Sequence, residues 1–169
     1  MKKIIIPLIL VAVFIVGVGL LTRYLQDRNL SVGFPNSTPG EMKNQVEIGD
    51  IKIDVELADS DEERKKGLSN RASLPENEGI LFEFSKKDTR PTFWMKDMLI
   101  AIDMIWIDND KVVQIDANVT PPEPDTPNSK LTLYTPDQQI DYVLEVNAGF
   151  SEKHNIEVGD KVNLSGVIQ

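Results

Sequence analysis

The 169-residue chain contains no cysteine and one histidine, His154. The first absence excludes a disulfide framework, thiolate metal sites, a thiol nucleophile and a lipid-modified N-terminal cysteine. The second removes a multi-histidine metal centre within one chain. No serine or cysteine motif accompanies His154, which reads as a solvated helix-end residue. Positive charge is also scarce, with 18 Lys and Arg against 27 Asp and Glu. Four of the basic residues (Lys2, Lys3, Arg23, Arg28) and one acidic residue (Asp27) lie in the first 28, leaving 14 basic and 26 acidic residues and a net −12 beyond. A surface this acidic repels phosphate backbones and anionic lipid, so no nucleic-acid partner is expected.

What is present begins with an apolar run. Residues 4–21 read IIIPLILVAVFIVGVGLL, without a charged or strongly polar side chain. As a helix rising ~1.5 Å per residue, this stretch covers roughly 27 Å, close to the ~30 Å hydrocarbon core of a bilayer. Lys2 and Lys3 before it favour a cytoplasmic N-terminus. Two readings stay open: an uncleaved anchor, which suits the length, and a signal peptide cleaved near Gly17-Val18-Gly19. Both export the rest of the chain. The expected organisation is an N-terminal anchor over 1–28, a flexible linker rich in Pro, Gly, Ser and Asn over 29–45, and a globular domain over 46–169. The localisation expected is the cell membrane, single-pass, with the C-terminal domain extracytoplasmic, or secreted after cleavage.

The domain alternates in short periods. Ile51, Ile53, Val55 and Leu57 interleave with Lys52, Asp54 and Glu56, the pattern of a half-buried strand. Gly49-Asp50 before it suits a hairpin turn. Ser60 and Glu63 form a capping box opening a short charged helix that Gly67 can end in the left-handed conformation, its EERKK face solvated. Further strands are expected at Ile80–Phe84, from Phe93, at Ile102–Ile107, Lys111–Val119, Leu131–Tyr134, Gln139–Val146 and Lys161–Leu164. Asn109-Asp110 suits a type I′ turn, and Thr120–Ser129, with four prolines, must leave the sheet. Some seven short strands argue for a mainly-β, compact antiparallel sandwich or barrel-like domain with one or two short helices.

Four stretches together resemble one family: ERKKGLSNR (Glu63–Arg71), LPENEGILFEF (Leu74–Phe84), FWMKDMLIAIDMIWID (Phe93–Asp108) and YVLEVNAGFSEKHNIEVGDKV (Tyr142–Val162). The chain is similar, over roughly Val46–Val167, to the domain of unknown function 192. The resemblance implies a single compact mainly-β domain, often exported or membrane-anchored, and no established activity. The chain departs from the family's pattern at Ile80 (Met in the family), Asp97 (Asn), Ala101 (Pro) and the shortened Asn109-Asp110 turn. Asp97 matters most, because a carboxylate replaces an amide.

The residues that could carry chemistry are Arg71, Trp94, Lys96, Asp97, Asp103 and Glu145. On a strand from Phe93, Trp94 and Lys96 would share one face, a stacking platform with a charged rim for a small polar ligand. Arg71 could add a fork for a carboxylate or phosphate. The structural alternative is that Glu145, between Leu144 and Val146, is buried and paired with Arg71 or Lys96, and that Asp103 caps backbone donors. No catalytic residue, metal site or cofactor is assigned. The function expected is a membrane-tethered, non-catalytic module that binds a small polar ligand or an envelope protein. Two alternatives remain: an envelope-polymer hydrolase or lyase using Asp97, Asp103 or Glu145, and a purely structural accessory domain.

Overall fold

The computed structural model describes residues 44–167. The apolar stretch 4–21 and the linker up to residue 43 lie outside the described residues. Among those described, no helix is long and apolar enough to cross a membrane.

The first two strands, β1 (Asn44–Ile48) and β2 (Ile51–Ala58), form the expected hairpin. Gly49 takes φ 58° in its turn. Helix α1 (Asp61–Lys66) opens on a complete capping box: the Glu63 amide donates to Ser60 Oγ at 3.2 Å, and Ser60 N donates to the Glu63 carboxylate at 3.1 Å. Its first turn is acidic and its last turn basic, the order that complements the helix dipole. Gly67 ends it with φ 45° and ψ −133°. The positive φ matches expectation, but the ψ is not that of the left-handed helix, and a Cβ there would stand 3.2 Å from Phe82 Cζ.

The chain then returns in β3 (Glu78–Glu83), which lies parallel to β2. This corrects the all-antiparallel expectation. A connection as long as residues 59–77, carrying a helix, lets the chain travel back along the sheet, which a tight turn does not. Next come β4 (Phe93–Trp94), β5 (Ile102–Asp108), β6 (Lys111–Val119), β7 (Leu133–Tyr134), β8 (Tyr142–Asn147), the short helix α2 (Phe150–Lys153) and β9 (Val162–Gly166). Asn109 and Asp110 take φ 48° and 58° between β5 and β6, as a type I′ turn requires.

The fold is not a sandwich. Seven strands form one curled sheet in the order β6-β5-β8-β3-β2-β1-β9. Its two edges meet at one end through a Lys111–Lys161 bridge, with Val112 N donating to Asp160 O at 2.9 Å and Val162 N to Asp110 O at 2.9 Å. The strand expected from Phe93 is only two residues long, and the one expected at Leu131–Tyr134 is not an edge of the main sheet. These two pair with each other in a separate sheet, Phe93 with Tyr134 and Trp94 with Leu133.

Alternation along the central strands divides the core between the two faces of the sheet. Leu81, Ile105, Ile107, Leu144 and Val146 join residues of both edge strands, such as Val112 and Val162, in the core enclosed by the curl. Their neighbours Ile80, Phe82, Met104, Trp106 and Val143 form a second core on the other face. It is covered by Leu68 and Leu74 after α1 and by Met95 and Met98 after β4. β5 is buried on both faces from Ile102 to Ile107, which is why this strand is apolar at every position there except Asp103.

Candidate functional site

Strand β8, YVLEVN, contributes Tyr142, Leu144 and Val146 to the enclosed core. Val143 and Glu145 therefore face the second core. By register, Glu145 lies between Ile80 of β3 and Met104 of β5, so no charged residue flanks it in the sheet. It is only 5% exposed. Its carboxyl group has no hydrogen-bond or ion-pair partner among the described residues. Burial, with nothing to offset it, pushes its pKa up to about 8. The group is consequently mostly protonated near neutral pH, a buried hydrogen-bond donor.

Glu145 lines a cavity of about 230 Å³ between the sheet and the layer covering it. Phe82, Phe84, Phe93 and Trp94 supply aromatic wall, and Arg64, Lys65 and Lys66 come from the last turn of α1. The wall is held by edge-to-face stacking: Phe93 meets Phe82, Phe84 and Trp106 at ring-centroid distances of 4.9, 6.5 and 5.5 Å. Trp106 is pinned from behind, its indole N–H donating to Asp116 at 2.8 Å. Arg64 binds the backbone carbonyls of Asp59 and Glu83 and the Asp61 carboxylate, and so fastens α1 over the end of β3.

The six residues singled out from the sequence do not form one cluster. Trp94 lines the cavity and is 48% exposed, but Lys96, half-buried, does not line it. Lys96 instead offers its backbone carbonyl to Ser69 Oγ at 3.3 Å. Arg71 is not the partner of Glu145: it makes a two-pronged ion pair with Glu56 on β2, at 2.6 and 2.5 Å. Hydrogen bonding to Arg71 lowers the Glu56 pKa and raises that of Arg71. Asp103 is fully buried and accepts from the backbone N–H groups of Asn118, Gly149 and Ser151 at 2.8, 3.0 and 2.9 Å. It ties the end of β6 to the turn entering α2, the structural role foreseen for it.

Three features escaped the sequence reading. α1 roofs the cavity, so its basic last turn is not simply a solvated face. Asp88, Asp108 and Asp141 offer carboxylate oxygens within 4.8 Å of one another, although 53 positions separate the first from the last. Asp141 is occupied by backbone N–H groups of Asp88 and Asn109, both at 3.3 Å. Finally, His154 stands at the end of α2 as expected but is half-buried rather than fully solvated: its ring packs 4.3 Å from that of Phe150, with Nε2 out of solvent.

The family model described as DUF192, Uncharacterized ACR, matches residues 44–164, nearly the whole described region. The chain belongs to the DUF192 family. Two solved structures share its fold. One, a protein of unknown function from Novosphingobium aromaticivorans DSM 12444, is 31% identical over 70% of this chain and 83% of its own, with a TM-score of 0.62. The other, from Sinorhizobium meliloti 1021 and provisionally described as a transcription regulator, is 26% identical over 74% of this chain and 95% of its own, with a TM-score of 0.64. No curated protein matches.

Within the DUF192 pattern, the Asn-to-Asp departure at position 97 has a backbone explanation. Asp97 is exposed and takes φ 58°, and its carbonyl accepts from Asn70 N at 2.7 Å. Asn and Asp are the non-glycine residues that best tolerate this left-handed conformation, so either fits the turn.

Proposed function

We propose that this DUF192 chain is a membrane-tethered, extracytoplasmic and non-catalytic module that binds a small ligand in the cavity floored by Glu145. One observation carries the reading: Glu145, a residue only 5% exposed and without a partner for its carboxyl group among the described residues, lines an aromatic cavity. Burying such a group destabilises the fold unless something compensates, and a perturbed acid in a cleft is a general mark of a working site. The tether rests on the 18-residue apolar stretch 4–21 and the lysines before it.

Two-carboxylate hydrolysis is less well supported, because Asp97 and Asp103 are absent from the cavity lining and the second acid is missing. The regulator description of the Sinorhizobium protein does not carry over to an acidic domain with little to offer phosphates. A partner protein remains a second reading, favoured by the exposed cross-strand neighbours Trp94 and Leu133.

The test is a ligand-observed NMR screen of the purified protein against small aromatic and sugar-like compounds. Hits should weaken about tenfold or more in Trp94→Ala and in Glu145→Leu. Binding that is unchanged in both variants removes the proposed site, and a partner captured only by the Trp94–Leu133 surface favours the second reading.

A further inference from the structure

The cavity lining combines one buried acid, three cations from α1 of which two are exposed, and a mainly apolar and aromatic remainder. At its floor stands Glu145, flanked in the sheet by Ile80 and Met104. The cations Arg64, Lys65 and Lys66 are the other charged groups in the lining, all from α1. β3 contributes Phe82, and the segment 91–98 contributes Thr92, Trp94 and Met98, none of them charged. Arg64 is committed to Asp59, Glu83 and Asp61, whereas Lys65 and Lys66 are exposed and make no salt bridge among the described residues, although the Lys66 charge helps to lower the pKa of Glu56.

Taking as given that this cavity holds a small ligand, we infer that the ligand is an amphipathic acid. It has a flat apolar body, an oxygen at its inner end that hydrogen-bonds the Glu145 carboxyl, and an anionic group held at the mouth by Lys65 and Lys66. The signs of charge decide between acid and amine. An amine would need Glu145 ionised and would sit beside the like charges of Lys65 and Lys66. An acid meets attraction at the mouth and a neutral donor at the floor. The aromatic wall suits a ring, and about 230 Å³ is small for a ligand pocket, enough for one ring with a short side chain.

A matched set of ring compounds tests this on the full chain held in lipid nanodiscs, with empty discs as the calorimetric blank. Phloretate carries a phenol and a carboxylate, hydrocinnamate lacks the phenol, and tyramine replaces the acid with an amine. Phloretate should bind about tenfold more tightly than tyramine and several-fold more tightly than hydrocinnamate. The double substitution Lys65→Gln with Lys66→Gln should remove the advantage over tyramine. Glu145→Leu should remove the advantage over hydrocinnamate, and Glu145→Gln, which keeps a donor, should retain it. Raising the pH until Glu145 ionises should weaken phloretate in the wild type and not in Glu145→Gln. A preference for tyramine overturns the ligand class but leaves the binding reading intact. No binding by any of the three overturns both, and equal binding insensitive to Glu145→Leu places the ligand elsewhere and overturns the inference.

Discussion

Replacing Glu145 with glutamine should stabilise the protein, by an amount that grows with pH. The side chain keeps its size and a neutral polar head, so the difference between the two proteins isolates ionisation. In the unfolded chain Glu145 titrates near the ordinary glutamate value of 4.5, whereas in the fold burial pushes it up to about 8. The folded state therefore binds more protons across that interval, and linkage makes the wild type lose stability as pH rises through it. Below pH ~4.5 the carboxyl is neutral in both states and the penalty vanishes; above pH ~8 it is ionised in both and the penalty is constant. At ~1.4 kcal/mol per pKa unit, the advantage of glutamine is about 1 kcal/mol near pH ~5, about 3 near pH ~7 and approaches about 5 above pH ~8. For a domain of this size, the neutral-pH difference corresponds to roughly 10 °C in Tm. Urea unfolding of both proteins, followed by circular dichroism over this pH range, measures it directly. Curves that run parallel within about 1 kcal/mol would falsify the reasoning, because Glu145 would then be solvated or paired in the native state.

Asp103→Ala should cost about 3 kcal/mol or more in urea unfolding, because three backbone N–H groups lose a buried, charged acceptor together. Arg71→Ala should cost only about 1 kcal/mol, and a double-mutant cycle with Glu56→Ala should give a coupling no larger, since Glu56 is half exposed. What that pair contributes is present above the unfolded pKa of Glu56 and should fade as pH falls through its lowered folded value, opposite in sign to Glu145. Gly79→Ala should unfold or severely destabilise the domain, because the new Cβ would lie 2.6 Å from the backbone oxygen of Glu145; full stability by thermal melting would show that β3 and β8 can separate.

The locally determined parts of the fold were legible in the sequence. The β5–β6 hairpin follows from Asn109-Asp110 between two apolar runs, and α1 from Ser60 and Glu63, because each signal acts within a few residues. Strand order was not legible, because it depends on where a long connection lands. Nothing local to residues 59–77 says that β3 will lie beside β2 and parallel to it. The β4–β7 pairing was hidden for the same reason, with partners some forty positions apart. At the site, Glu145 stood out as a carboxylate in an apolar strand, but whether it had a partner depended on where Lys96 and Arg71 pointed, the latter above all. That residue turned out to be held by Glu56, 15 positions away.

Residues that fold the domain differ from Glu145 in what their charges meet. Asp103 spends its charge on three backbone donors, Arg71 spends its on Glu56, and the position of Asp97 is explained by a left-handed turn. The basic end of α1 complements the helix dipole, and Arg64 is fully used in fastening that end to β3. Each of these charges has a structural reason that suffices. Glu145 does not: a leucine or methionine would fill its place between Ile80 and Met104 without desolvating an acid. The fold's own packing supplies the aromatic wall and the basic rim, and the one costly, unexplained choice is the carboxyl group at the floor. A ligand that pairs with it would return the stability that its burial removes, so binding and stabilisation should appear together at this one residue.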